Sequence, residues 1–286
     1  RRPPKSTLFP YTTLFRSDSA QSRPLVDDYR IISMPNGMTV GLFGIVTDHI
    51  NIWEKPENIT PFIISAPFQA AKEVVELLKP QVDLVIGIYH GGFEVDLDTG
   101  KRLSHSNENI AYQICEQLPI DLLLTGHQHM SIANRTLFGT QIVQASNNAT
   151  EYAEIYITQN EDKSFDYQTH LKQPLFLKDD APIKTALVTL EEYVQAWLDE
   201  PVGKIDIPLI PDSHLDMAIS HPVLANFLNQ IQLQVSGADI SCTSLANEVL
   251  GLRDDMTMRD IISTCVYPNT LVVLEVTGDI LIKALE

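Results

Sequence analysis

Cysteine is scarce, with only Cys115, Cys242 and Cys265 in 286 residues. An odd count without ligand spacing argues against both a disulfide framework and a thiolate metal site. Cys115 stands in a helical pattern and the other two in apolar surroundings, so all three are expected as buried free thiols. Positive charge is also short: 20 Lys and Arg face 37 Asp and Glu, for a net charge of −17. Such a chain lacks the basic surface that binds a nucleic-acid backbone. A small anionic ligand is not excluded, because metal ions can supply local positive charge. No apolar run approaches the roughly 18 residues that span a bilayer, and there is no internal repeat or low-complexity tract. What remains is an ordinary globular composition, 44% hydrophobic, long enough for two domains.

The most informative stretch is Ile120-Asp-Leu-Leu-Leu-Thr-Gly-His-Gln-His-Met130. Its apolar run, broken only by Asp121, reads as a buried strand of a layered α/β sheet. Gly126 permits a sharp turn, and His127 and His129 follow at the strand's carboxyl end, where open α/β sheets place ligands. Upstream, Val82-Asp-Leu-Val-Ile-Gly-Ile-Tyr-His-Gly-Gly-Phe-Glu94 repeats the arrangement: an apolar run, His90, then the Gly91-Gly92 pair. Two strands that each deliver histidine to one edge suit a dinuclear metal site. Glu94 is a candidate for orienting a histidine ligand from behind.

His90-Gly-Gly-Phe-Glu94 and Gly126-His-Gln-His129, with Asn107-Glu108-Asn109 and Tyr112-Gln113-Ile114 between them, resemble the calcineurin-like metallophosphoesterases. Within that superfamily the closer likeness is to 5′-nucleotidases and 2′,3′-cyclic-nucleotide 2′-phosphodiesterases, from about residue 30 to the end. The resemblance implies the carboxyl-terminal half of a two-sheet α/β sandwich followed by the start of an α+β 5′-nucleotidase carboxyl-terminal domain. It also implies two divalent metals, Mn, Zn or similar, with His90 and His127 on one and His129 on the other. Imidazole suits such ions. A metal-held hydroxide would attack phosphorus in a small nucleotide substrate. Tyr267 would stack on the base and Asn269 would hydrogen-bond it. The Asp-x-His, Gly-Asp and Gly-Asn-His motifs that complete the centre are missing, so the chain is expected to be a fragment open at both ends and inactive by itself. Relatives carry a Gly-rich, Arg-ended phosphate clamp where this chain has Thr243-Ser-Leu-Ala-Asn-Glu248. That departure favours a cyclic or alternative phosphoester. Other readings are a UDP-sugar hydrolase of the same superfamily and a non-catalytic nucleotide-binding or surface module. Cytoplasm is favoured over cell surface or periplasm.

In chain order, Thr7–Ser17 resembles the translation of a sequencing adapter, and residues 1–17 are set aside as an artefact. Residues 18–178 are expected as the metallophosphoesterase part, 179–198 as a linker helix and 199–286 as the second domain. Tyr29–Ser33 and Met38–Val46 read as strands joined by an Asn36-Gly37 turn. Helices are expected over Ala66–Leu78, Asn107–Leu118, Asp179–Leu198, Ser220–Val235 and Met256–Thr264, with another from Gly278. Further strands are expected at Gln141–Ala145, Tyr152–Thr158, Phe165–Thr169, Asp239–Cys242 and Thr270–Val276. Asp96 and Asp98 read as part of a solvated loop.

Overall fold

Apolar runs that end in histidine or threonine form the centre of a six-stranded sheet. The computed structural model describes residues 16–17, 26–59, 62–175, 178–213, 215, 217, 223–246, 249–267 and 269–286. Two units are resolved by their internal contacts, Arg1–Leu177 and Lys178–Glu286. The first runs β1 (Arg16–Ser17), β2 (Tyr29–Ser33), β3 (Thr39–Val46), α1 (Ile50–Trp53), α2 (Pro56–Ile59), β4 (Phe62–Ile63) and α3 (Pro67–Leu78). It continues with β5 (Leu84–His90), α4 (Ala111–Gln117), β6 (Leu122–Thr125), β7 (Ile132–Leu137), β8 (Thr140–Gln144), β9 (Tyr152–Gln159) and β10 (Phe165–Lys172).

The sheet order is β2-β3-β5-β6-β8-β7. Strands β3, β5, β6 and β8 are parallel neighbours, while β2 and β7 close the edges antiparallel. Helix α3 begins on Pro67, whose missing N–H costs nothing at a helix start. It buries Ala70, Ala71, Val74, Val75 and Leu78 in one cluster with Phe43 and Val85. Asp121, the polar residue inside the apolar run, has a structural use. Its carboxylate accepts the Val85 N–H at 2.7 Å and the Lys79 ammonium at 2.8 Å, which joins β5, the start of β6 and the end of α3.

Several expectations shift. The α4 helix starts at Ala111, not Asn107. Strand β7 was not foreseen, because a bulge between Ile132 and Arg135 breaks its alternation. At that bulge Asn134 takes a left-handed backbone, φ 52°, and its carboxamide bonds both the N–H and the C=O of Thr169. This clamp attaches the β9–β10 hairpin to the sheet. Arg16 and Ser17, in the stretch set aside, pair with Ile63 and Phe62. Asp98 keeps to the solvated loop expected for it: its side chain is 84% exposed while its carboxylate meets the Arg135 guanidinium at 2.8 Å. Asp96 accepts from Thr99 and Asp98 within its own turn.

The second unit comprises α5 (Ala181–Leu198), β11 (Pro201–Lys204), α6 (Val223–Ser236), β12 (Asp255–Thr257), α7 (Met258–Thr264) and α8 (Gly278–Leu285). Strands β11 and β12 pair antiparallel, and Leu209, Met217, Leu224, Val249 and Leu252 form its core. Arg259 reaches Asp199 and Gln195, fixing the end of α5 to α7. The strands expected at 239–242 and 270–276 do not form. A strand needs a pairing partner as well as propensity, and Val272 and Leu274 remain exposed. Of the cysteines only Cys115 is buried, which pushes its thiol up to about 12. Cys242 and Cys265 are exposed, in a coil after α6 and at the end of α7, where no element among the described residues covers them. Asp18, Ser220, Asn247, Glu248 and Pro268 lie outside the described residues. No described helix is long and apolar enough to cross a membrane.

Asp260 organises the start of α7. It is only 6% exposed, and its carboxylate accepts from Arg253 Nε at 2.6 Å, Arg253 Nη2 at 3.0 Å and the Thr257 N–H at 2.7 Å. The Arg253 guanidinium foremost, then Thr257, hold its carboxyl at about 2 against the opposing effect of burial. A carboxyl depressed in the folded state adds stability above its unfolded value of roughly 4, and that stability is lost as pH falls towards the folded value. Asp260→Asn is expected to lower stability at neutral pH by about 1–3 kcal/mol. It should also flatten the dependence of stability on pH across the acid window. Urea titrations at several pH values check both; an unchanged acid limb would rule out this role for Asp260.

Candidate metal centre

The parallel strands β3, β5, β6 and β8 deliver their carboxyl ends to one edge, and three of the loops that follow are bonded there. The Thr47 N–H donates to the His90 carbonyl at 3.1 Å, and the Gly126 N–H to the Gly91 carbonyl at 3.2 Å. His90 closes β5, and its ring centre lies 5.5 Å from that of His127. Burial foremost, then the charges of His127 and His129, push the His90 imidazole below its ordinary value. That favours the neutral form, which is the form that ligates metal.

His127 and His129 take left-handed backbones, φ 69° and 55°, a region histidine tolerates better than most residues. The residue between them holds the loop there. Gln128 Oε1 accepts the Phe93 N–H at 2.7 Å, and its Nε2 donates to the Phe93 carbonyl at 2.9 Å. A Cβ on Gly92 would sit 2.0 Å from Gln128 Oε1, so the second glycine after His90 makes room for this latch. With Gln128 turned towards Phe93, its two histidine neighbours are set by the latched backbone.

Glu94 is not where the sequence reading put it. Buried at 4% exposure, its carboxylate accepts the Tyr112 and Gln113 N–H groups at 3.1 and 2.9 Å. It satisfies open amides in the first turn of α4, and no bond to a histidine is formed. The group on His127 is Glu108, whose Oε1 lies 2.8 Å from Nε2. Also missed were His49 and Trp53, which follow β3. The Trp53 ring centre is 5.1 Å from His127 and 6.0 Å from His49, while His49 Nδ1 is 3.3 Å from Asp48 Oδ1. The signal for these was present: Val46-Thr-Asp-His49 again puts a histidine just past an apolar strand. Tyr267 and Asn269 belong to the second unit. Tyr267 is 64% exposed, which excludes a core-packing role for its ring, and its carbonyl accepts the Asn269 N–H at 2.8 Å.

Two imidazoles on one tetrahedral ion, each nitrogen about 2.0–2.1 Å away, put their ring centres roughly 5 Å apart. The His90–His127 pair matches that spacing. Among the described residues no three His, Cys, Asp or Glu side chains group closely enough to hold an ion. The donors therefore fit as a pair for one ion, and no carboxylate bridging two ions is found among the described residues.

Residues 201–286 match the family described as 5′-nucleotidase, C-terminal domain. The 2′,3′-cyclic-nucleotide 2′-phosphodiesterase/3′-nucleotidase of Yersinia enterocolitica is 23% identical over 322 residues, covering 94% of this chain and 49% of that protein. The protein of the same name from Haemophilus influenzae is 22% identical, with 87% and 44% covered. The chain thus spans about half the length of the curated relatives it matches. Among solved structures, a 5′-nucleotidase from Staphylococcus aureus in complex with alpha-ketoglutarate superposes with a TM-score of 0.72 at 26% identity, covering 85% of this chain and 48% of that one. Residues 201–286 thus match the 5′-nucleotidase C-terminal domain, and the chain is similar in sequence to proteins named 2′,3′-cyclic-nucleotide 2′-phosphodiesterase/3′-nucleotidase and in fold to a 5′-nucleotidase.

Proposed function

We propose that the gene product containing this chain hydrolyses nucleotide phosphoesters with divalent metal ions, as a 2′,3′-cyclic-nucleotide 2′-phosphodiesterase or 5′-nucleotidase. The observation that carries this reading is the His90–His127 pair at ligand spacing on the carboxyl edge of a parallel sheet. His90 and His127 would hold one ion and His129 would serve a second, with Mn or Zn suited to imidazole. Such ions polarise phosphoryl oxygens and lower the pKa of bound water. The chain's own contribution is to keep His90 neutral, hold the His127 loop through Gln128, and line the edge with Trp53. Tyr267 and Asn269 are proposed to bind the base. The exposed Tyr267 ring supports this, because a stacking platform needs a free face. The sequence over 243–248 holds no arginine to clamp a terminal phosphate, which supports a cyclic phosphoester as substrate.

The test is turnover by the complete gene product of 2′,3′-cyclic AMP, AMP, a UDP-sugar and a small artificial phosphodiester, with added Mn²⁺ and with chelator. Chelator-sensitive hydrolysis led by the cyclic nucleotide is expected. Preference for the UDP-sugar would move the substrate class within the superfamily, and no turnover of any would leave only a binding module. Tyr267→Ala should raise KM for nucleotides while sparing the artificial diester, with roughly 1–3 kcal/mol lost from base stacking. Equal losses on both substrates would rule out base recognition by Tyr267.

A further inference from the structure

We propose that Glu108 is a positioning residue: its carboxylate fixes the tautomer of His127, so that Nδ1 is the nitrogen presented to a divalent cation. The proposal rests on the metal reading above and adds to it the atom that binds and the group that selects it. A carboxylate only accepts hydrogen bonds, so the 2.8 Å contact from Glu108 Oε1 to His127 Nε2 places the imidazole hydrogen on Nε2. In a neutral ring the lone pair then lies on Nδ1. The ring has little freedom to escape this choice. Its backbone is latched through Gln128, and Trp53 lies against it at 5.1 Å with the planes 30° apart.

Glu108 is itself held by β5 and the turn that follows His90. The Tyr89 hydroxyl donates to the Glu108 carbonyl at 3.2 Å. The next residue, Asn109, accepts the Gly92 N–H at 2.6 Å, and the Ala111 N–H donates back to the Gly92 carbonyl at 2.9 Å. The Glu108-Asn109 pair thus clasps two loops at once. Asn109 holds the turn that follows His90, and Glu108 holds the ring of His127. Because both contacts spring from adjacent residues, the clasp sets the His90–His127 spacing as well as the tautomer. A Glu108 oxygen bonded to Nε2 acts on a cation through His127 and not as a ligand of its own.

The test combines a metal-free and a metal-loaded measurement. In the 286-residue chain labelled with ¹⁵N-histidine and free of metal, long-range ¹H–¹⁵N spectra at neutral pH should show His127 with hydrogen on Nε2. E108A should give a mixture of tautomers. E108Q should keep the wild-type tautomer, since its amide oxygen can still accept. In the complete gene product E108A should weaken Mn²⁺ binding by about 10–100-fold, and E108Q should recover most of that loss. Circular dichroism matched to wild type qualifies each variant. A wild-type His127 with hydrogen on Nδ1 overturns the proposal whatever the variants do. So does an E108A protein that binds Mn²⁺ as tightly as wild type. If wild type binds no Mn²⁺ while its tautomer is fixed as expected, the metal reading fails, and with it the presentation of Nδ1 to a cation. If Mn²⁺ binds and the tautomer is indifferent to E108A, Glu108 alone is wrongly assigned.

Discussion

His90→Ala and His127→Asn in the complete gene product are each expected to lower kcat/KM for a cyclic nucleotide by about 10²–10³-fold or more, because metal charge stabilisation contributes several kcal/mol and each 1.36 kcal/mol is tenfold. The two replacements are chosen for backbone reasons. His90 ends a regular strand, where alanine adds no strain. His127 has φ 69°, where alanine would be strained and asparagine is tolerated. Both proteins should therefore fold. Steady-state assays with saturating Mn²⁺ and with limiting Mn²⁺ separate lost affinity from lost chemistry. Rescue at high metal concentration is the expected pattern for removal of one ligand. Wild-type rates at limiting metal would show that neither imidazole binds an ion.

The largest effect on stability is expected from Gly251→Ala. Gly251 has φ +82°, and a Cβ there would lie 2.3 Å from the Leu209 carbonyl oxygen and 2.8 Å from Pro211 Cδ. That backbone cannot retreat easily, because Leu209 and Leu252 exchange N–H···O bonds of 2.8 and 3.1 Å and both side chains are in the core. Overpacking and a left-handed alanine together should cost about 2–5 kcal/mol. This is a large share of the stability of a small domain, about 5–15 kcal/mol. Gly237 provides the comparison: its φ is +68°, and a Cβ would meet nothing within 4 Å. Gly237→Ala should cost only the conformational part, about 1 kcal/mol. Denaturant titration of both variants decides the matter. Equal losses would mean that the close approach to Leu209 is unimportant.

The centre of the sheet was readable in the sequence because the apolar runs of β5 and β6 are nearly continuous, the pattern of parallel strands inside a layered sheet, even though Ile88 on β5 is 49% exposed. The same physics made the histidines legible, since a polar residue at the end of such a run must leave the core. Contacts made across the sequence were not legible. Glu94 stands four residues from His90 and looked like its partner, yet the helix amides of α4 take its carboxylate. Glu108 stands 19 residues from His127, and nothing local marks their contact. Strand β7 was hidden by its bulge at Asn134. The stretch at 270–276 shows the converse, a Val- and Leu-rich sequence without a paired neighbour among the described residues.

The central claim is that the carboxyl edge of this sheet binds divalent metal through His90 and His127. Crystals of the complete gene product grown with Zn²⁺, with anomalous data collected on either side of the zinc edge, test it directly. An anomalous peak is expected between the two imidazoles, about 2.0–2.1 Å from a nitrogen of His90 and from Nδ1 of His127. No peak at that edge, or a peak with both imidazoles beyond bonding reach, would contradict it.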